Sequence, residues 1–186
     1  IGFCLVGSEM CIRDRYNVTV VSGLAYGIDA CAHKSAVNNE MYNVGVVAHG
    51  LDRIYPSVHK GLANQIIRKG AVLTEFPTLT NPDRENFPQR NRIVAGMVDA
   101  VIVIESALKG GSMITAKLGN DYNRDVFAVP GRLGNDQSKG CNHLIKTNQA
   151  HLLESADDIA YILGWNKAVA DLSLIHISEP TRQKPI

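Results

Sequence analysis

Cysteine, tryptophan and long apolar runs are scarce in this sequence of 186 residues, which has four cysteines and one tryptophan. The cysteines show no CxxC spacing, which argues against a zinc site of paired CxxC motifs and against a disulfide scaffold. No apolar run reaches the roughly 18 residues of a transmembrane helix, so we predict no membrane association. The formal net charge is only +1, so the whole chain is not a polycation. The 45% hydrophobic and 20% charged residues are typical of a globular domain.

The motifs of several enzyme classes are also missing. The sequence has no GxGxxG of dinucleotide-binding folds, no GxxxxGK[ST] of P-loop proteins, no GxSxG of serine hydrolases and no HExxH of metalloproteases. Cys31 and His33 stand two residues apart on a predicted helix, as do Cys141 and His143, so neither pair shares a helix face. We therefore predict no catalytic residue set, no bound metal and no cofactor.

The two ends of the sequence carry peptides that a single oligonucleotide can encode. LVGSEMCIRDR at 5–15 and LSLIHISEPTR at 172–182 can be translated from opposite strands of the same DNA, which resembles a transposon-end adapter of sequencing libraries. The alternative is that both ends are genuine floppy termini. We interpret residues 1–15 and 172–186 as adapter-derived and exclude them from reasoning about the fold.

The remaining segment, residues 16–171, is expected to form one domain. It is formally neutral, because the excluded ends hold four Lys or Arg and three Asp or Glu. Cys31 and Cys141 remain in it, which is compatible with a reducing cytosol, and on this interpretation the apolar start is not a signal peptide. We predict a cytoplasmic location and interpret the segment as an internal fragment of a longer protein.

Segments typical of buried strands alternate with segments typical of helices. Runs rich in Val and Ile predict strands at 16–23, 42–50, 70–76, 99–106 and 125–131. A loop followed by a helix is predicted at 24–39, and further helical patterns lie at 56–70, 89–97, 111–122, 138–146 and 156–165. This alternation predicts an α/β fold with a doubly wound, mostly parallel, Rossmann-like sheet covered by helices on both faces.

Glycines and hydroxyl side chains follow two of the predicted strands. Ligands of such sheets bind at the carboxyl ends of the strands, near helix N-termini. Residues 22–27 follow the first strand and residues 110–115 follow the fourth, and their amides and hydroxyls are suited to a phosphate. The alternative is turn chemistry alone, with Asp29 complementing a helix dipole and Ser112 as an N-cap.

Basic residues concentrate between the third and fourth predicted strands, at Arg84, Arg90 and Arg92. Arginine forks match phosphate oxygens, and the Phe87 ring is suited to stacking on a base. The alternatives are that Phe87 packs in the core and that the arginines pair with nearby carboxylates, at Asp83, Glu85 or Asp99.

Two further residues near the second predicted strand are candidates for a functional role. His49 is a candidate base, and Lys60 is a candidate phosphate contact. A loop histidine that only forms hydrogen bonds and a solvated lysine are the alternatives.

These segments, in this order, resemble the DNA-processing protein A (DprA, or Smf) family. The resemblance covers about 18–158 and is carried by SGLAYGIDACAH, HGLDRIYP, LTEFP, FPQRNRI, GGSMITAKL and VFAVPG. It implies a Rossmann-like fold that binds single-stranded DNA and loads a RecA-type recombinase onto it in natural transformation, without catalytic turnover. It places the DNA contacts on Ser22, Gly23, Gly27, Lys60, Arg90, Asn91, Arg92, Gly111, Ser112 and Thr115.

The resemblance also implies a homodimer. Its dimerisation segment matches 140–146, where Leu144 and Ile145 would face the partner subunit, and core packing is the alternative. In the family, an opening strand with a Gly-Ser/Thr-Arg loop should precede the position of Tyr16. In this sequence, that place is taken by the residues that we interpret as adapter-derived. We therefore expect a sheet that lacks its natural first strand and weak DNA binding.

Two other functions remain open at this point. One is a nucleotide- or nucleoside-phosphate-processing enzyme on a related scaffold, with Asp29 or Glu105 as acid or base, although the PGGxGTxxE signature of one such family is absent. The other is a scaffold that docks a recombinase, for which DNA contact is secondary.

Overall fold

The computed structural model describes residues 18–165, and within that range strands and helices alternate. The strands are β1 (Thr19–Ser22), β2 (Tyr42–Val46), β3 (Gly70–Leu73), β4 (Ala100–Val103), β5 (Asp125–Ala128) and β6 (His151–Leu152). The α-helices are α1 (Ile28–Asn38), α2 (Lys60–Lys69), α3 (Asn86–Met97), α4 (Gly111–Asp121), α5 (Lys139–Lys146) and α6 (Ala156–Ile162). Short 3₁₀ turns, Ser57–His59 and Asp136–Ser138, lead into α2 and α5.

The strands form two parallel, three-stranded sheets, in the orders β1-β2-β3 and β4-β5-β6. The predicted α/β class and parallel pairing are confirmed. The single doubly wound sheet is replaced, in the described part of the chain, by two sheets that leave one edge each of β1 and β4 unpaired. Helix α3 links them, because it packs against β1 and β2 of the first sheet and against α4 beside the second.

Strand β4 of the second sheet is apolar on both of its faces. Successive side chains of a strand point to opposite faces. Val101 and Val103 of β4 pack with Ala116 of α4 on one face, whereas Ile102 packs with Ile159 of α6 on the other. Helices cover both faces, so the strand sequence is a continuous apolar run instead of an alternating one.

Two differences from the predicted elements have a clear physical reason. Helix α3 begins at Asn86, three residues before the predicted start at 89, because Pro88 fits within a first helical turn, where an amide has no intrahelical partner. Strand β6 was not predicted, because it has only two residues, both exposed, and therefore no apolar run.

Residues 1–17 and 166–186 lie outside the described part. The interpretation of 1–15 and 172–186 as adapter-derived, and of 16–171 as one domain, therefore stays a prediction. Within 18–165, no helix combines the length and the apolar character needed to cross a membrane.

We expect His33 of α1 to make the fold sensitive to acid. It is fully buried, its Nδ1 lies 2.6 Å from Asn43 Oδ1, and burial lowers the pKa of the imidazole. Below its ordinary pKa of about 6.5, the unfolded chain binds a proton at this site that the folded chain does not. We expect the free energy of unfolding to fall by up to about 1.4 kcal/mol per pH unit below that value.

Urea unfolding of the full chain at pH 7.5, 6.5 and 5.5 measures this slope. The His33→Gln variant, which cannot titrate there, should show a shallower slope. Equal slopes for the two proteins would refute the assignment to His33.

Candidate nucleic-acid interface

A cavity of about 340 Å³ lies where β1 and β4 end. One wall is the loop after β1 with the start of α1, the opposite wall is the end of β4 with the start of α4, and α3 contributes the remaining side. Two helix N-termini therefore border one cavity at the carboxyl ends of parallel strands, which is where the sequence pattern placed a ligand.

Six of the ten predicted contact residues line this cavity. They are Gly23, Arg90, Asn91, Gly111, Ser112 and Thr115. The other four do not line it: Ser22 is fully buried, Gly27 is the N-cap of α1 with φ of 78°, and Lys60 and Arg92 are exposed outside it. The structure thus brings together residues from three separate segments and places the remaining four elsewhere.

Asp29 organises the loop that follows β1. Its carboxylate accepts hydrogen bonds from the amides of Gly23, at 3.1 Å, and Ala25, at 3.3 Å, and the Ser22 hydroxyl also bonds to it. Burial raises the pKa of the Asp29 carboxyl, but these hydrogen bonds and the nearby Arg90 guanidinium oppose burial, and the pKa lies below its ordinary value. The amides of Gly23 and Ala25 therefore bond to Asp29. Asp29 also lies in the first turn of α1, as the turn-chemistry alternative predicted, so it closes the loop from that position.

Arg90 is the only one of the three clustered arginines that lines the cavity, and it is only 4% exposed. Its Nη1 donates to the carbonyls of Gly23, at 2.7 Å, and Val46, and its Nε donates to Asn91 Oδ1 at 3.1 Å. Burial lowers the pKa of the guanidinium, yet an arginine keeps its charge at neutral pH. Its Nη2 makes no hydrogen bond within residues 18–165 and is not fully buried, so a donor group is available on the cavity wall.

The N-terminus of α4 supplies the opposite wall. Gly110 is the N-cap, so the alternative that placed Ser112 there was wrong, and Ser112 is the second residue of the helix. The first amides of an α-helix have no intrahelical acceptor and carry the positive end of the helix dipole. Thr115, one turn further on, is buried with its Oγ1 3.5 Å from the carbonyl of Gly111.

Arg92 lies on a different face of α3 from Arg90. Residues two apart on a helix point in widely different directions, at about 100° per residue. Arg92 bonds through Nη2 to Glu75, with its side chain 53% exposed. The predicted carboxylate partners, Asp83, Glu85 and Asp99, are not the ones that it contacts.

Several other candidate residues take part in internal hydrogen bonds or in core packing. His49 is buried and uses both ring nitrogens, bonding to the Gly50 carbonyl and accepting from the Tyr55 amide. Leu144 is buried in the core of the second sheet, and Ile145 packs against the same core. This placement favours core packing for both residues, and a dimer contact through them stays a prediction.

Sequence reasoning missed one prominent cavity residue, Tyr26, whose side chain is 68% exposed. Its signal was an aromatic residue inside a glycine-containing loop at a strand end. Glu105 also lines the cavity and is exposed. Among residues 18–165, no group of three or more His, Cys, Asp or Glu is arranged to hold a metal ion.

Comparison with known proteins defines the family. The model of the family described as DNA recombination-mediator protein A matches residues 9–164. The chain is 44% identical over 146 residues to protein Smf of Synechocystis sp. and 41% identical over 142 residues to DNA processing protein DprA of Streptococcus pneumoniae. These alignments cover 78% and 76% of this chain. The chain therefore belongs to the DNA recombination-mediator protein A family.

Solved structures show the same fold. The crystal structure of DNA processing protein A from S. pneumoniae has a TM-score of 0.74 and 36% identity, over 87% of this chain and 59% of that one. The Helicobacter pylori protein, described as having a unique single-stranded DNA binding mode, has a TM-score of 0.73 and 28% identity, over 89% of this chain and 78% of that one. The chain spans only 36% of the Synechocystis protein and 50% of the S. pneumoniae protein.

Proposed function

We propose that this chain binds single-stranded DNA, with backbone phosphate held between the N-terminus of α4 and Arg90. The observation that carries the proposal is a nine-tenths buried guanidinium whose Nη2 has no acceptor in residues 18–165, on the same cavity as that N-terminus. Ser112 adds a hydroxyl on this wall, and Asn91 adds a side chain beside Arg90. Helix N-termini and arginine forks are both suited to phosphate oxygens.

The overall charge of the chain does not oppose this function, since DNA binding follows local positive potential and not net charge. Family membership and the H. pylori neighbour support DNA as the source of the phosphate. The alternative of a nucleotide- or nucleoside-phosphate-processing enzyme gains no support from Asp29, because the Asp29 carboxylate accepts hydrogen bonds from the loop after β1.

We propose that the full-length protein acts in the cytoplasm as a homodimer and loads a RecA-type recombinase onto single-stranded DNA during natural transformation. The support is the sequence resemblance and the family match over residues 9–164. Recombinase filament formation on DNA coated with single-strand-binding protein, with and without the full-length protein, tests it, and no acceleration would refute this part.

Titration of the chain against fluorescent oligo-dT at several salt concentrations tests the binding. We expect the logarithm of the affinity to fall with the logarithm of the salt concentration, with a slope of about −0.7 per phosphate contact. A duplex of the same length should bind more weakly, because its backbone geometry does not fit a cavity at strand ends. Absence of binding at low salt, or an affinity that is independent of salt, would contradict the proposal.

A further inference from the structure

The outer edge of β3 is unpaired in the described part of the chain. Strand β3 pairs with β2 on one side, and no strand of the described range pairs with it on the other. Alternate residues of a parallel strand direct their amide and carbonyl to opposite edges. Leu73 bonds inward, because its carbonyl accepts from the Val47 amide at 2.8 Å. The amide and carbonyl of Val72 therefore point outward, together with the carbonyl of Gly70 and the amide of Thr74.

This edge lacks the features that usually protect an unpaired strand. Charged side chains, proline, a bulge or a very short strand keep an edge from pairing with another chain. Strand β6 has such protection, since it has only two residues and its His151 pairs with Asp125 at 3.6 Å. Strand β3, with the sequence GAVL, has four residues and neither charge nor proline. The β3 edge is therefore open to one more strand.

Apolar side chains flank the β3 edge on both faces of the sheet. Val72 packs with Ile66 of α2 on one face. Leu73 points to the opposite face and is 38% exposed. A strand added at this edge would bury apolar surface on both faces, in addition to bonding to the backbone.

The charge beside this edge is positive. Helix α2 has three basic residues and no acidic one, and its last two, Arg68 and Lys69, are exposed and immediately precede β3. Lys69 lies 3.9 Å from Glu40, in a pair that is largely open to solvent and therefore weak. A second copy of the chain would bring another basic α2 to the edge, so like charges would repel. An acidic strand would be attracted.

We propose that the outer edge of β3 binds an extended acidic segment of a partner protein as an additional strand. The segment bonds to the outward amides and carbonyls of β3, and its carboxylates lie beside Arg68 and Lys69. Backbone bonds give affinity in this mode of recognition, and side chains give specificity. The site lies outside the cavity between the ends of β1 and β4, so the inference goes beyond the proposed DNA binding and does not rest on it.

Peptide binding tests this proposal. A fluorescein-labelled peptide of sequence DDVTVTV should bind the full chain at low salt and gain fluorescence anisotropy. The peptide KKVTVTV should bind at least about tenfold more weakly, since like charges repel. Methylation of either the valine or the threonine amides of DDVTVTV separates strand addition from charge attraction. One set should abolish binding and the other should have little effect, because only alternate amides of the peptide face β3.

Val72→Pro locates the site on the protein. It removes the outward amide and leaves the inward bonds of Ala71 and Leu73 in place, since an edge strand tolerates proline where the amide faces outward. It should weaken peptide binding at least about fivefold. Thermal unfolding shows whether the variant is folded. In the wild-type chain, the peptide should slow hydrogen exchange of the Val72 and Thr74 amides, which gives a measurement that needs no variant.

Charge reversal tests the acidic character of the partner. Arg68→Glu/Lys69→Glu should weaken the binding of DDVTVTV at least about fivefold and strengthen that of KKVTVTV. Lys34→Glu/Lys117→Glu is the matched control, because it changes the net charge equally at exposed positions of α1 and α4. This control should leave both affinities nearly unchanged.

Four results would overturn the proposal. Equal effects of the two methylation patterns would show that the peptide does not bind as a strand. Displacement of the peptide by oligo-dT would place it in the cavity between β1 and β4 instead. Dimerisation in light scattering that Val72→Pro removes would identify a second copy of the chain as the occupant. Absence of peptide binding at low salt would refute the site, whatever the DNA titration shows.

Discussion

Replacement of Arg90 by alanine is expected to lower the free energy of unfolding by about 3 kcal/mol. The substitution removes the Nη1 donor shared by the carbonyls of Gly23 and Val46 and leaves both without that partner. These carbonyls terminate two neighbouring strands, so Arg90 ties α3 to the first sheet at the place where the cavity opens. Urea unfolding of the full chain measures the change.

Arg92→Ala is the matched control for Arg90→Ala. Arg92 lies two residues away on the same helix, and its pair with Glu75 is largely solvent-exposed. Such pairs contribute about 1 kcal/mol or less. If the two alanine variants lose similar stability, the structural role that we assign to Arg90 is wrong.

Replacement of Gly23 by alanine is expected to cost about 2 kcal/mol of unfolding free energy and to disturb the cavity. A Cβ at this position would lie 2.4 Å from Arg90 Nη2 and 2.6 Å from its Cζ. The guanidinium cannot move away cheaply, because the carbonyls of Gly23 and Val46 hold it. Glycine is therefore needed here for close approach, as well as for any contact with a ligand.

Two further variants serve as controls for the prediction on Gly23→Ala. Gly61→Ala in α2, where an added Cβ meets nothing within 4 Å, should be stabilising by about 0.5 kcal/mol or more. The double variant Gly23→Ala/Arg90→Ala should lose less stability than the sum of the single variants, since removal of the guanidinium removes the clash. Strict additivity of the two losses would show that Gly23 and Arg90 do not interact as described.

The strands and helices could be predicted because each carries its own local pattern. Val101, Ile102 and Val103 form an apolar run that is typical of a strand buried on both faces, and the structure covers both faces with helices. The glycines before α4 and the residues after β1 could be placed at one edge of the sheet, because parallel strands end on the same side.

Other features depend on long-range contacts that no local pattern contains. Arg90 and Arg92 look alike in the sequence, yet one is buried against two strand ends and the other pairs with Glu75. Helical geometry alone separates their directions, but only the packing of α3 against β1 and β2 decides which one reaches the cavity. Likewise, the loop amides of Gly23 and Ala25 were suited to a phosphate in isolation and are occupied by Asp29 in the fold.

The central claim is that the N-terminus of α4 faces bound DNA, and the most direct test adds one negative charge at either end of that helix. Ser112→Asp places a carboxylate on the cavity wall, whereas Gln149→Glu places one beside the opposite end of α4, where Asn120 bonds to the Gln149 carbonyl. An acidic residue stabilises a helix N-terminus and destabilises a C-terminus, each by about 0.3–1 kcal/mol.

Stability should therefore change in opposite directions in these two variants, whereas only Ser112→Asp should lose DNA affinity. We expect Ser112→Asp to unfold at the same or a higher temperature than the wild-type chain and to bind oligo-dT at least about tenfold more weakly at low salt, since like charges repel. Gln149→Glu should be slightly less stable and retain nearly the wild-type affinity. Equal affinity of a folded Ser112→Asp variant and Gln149→Glu for oligo-dT would contradict the account.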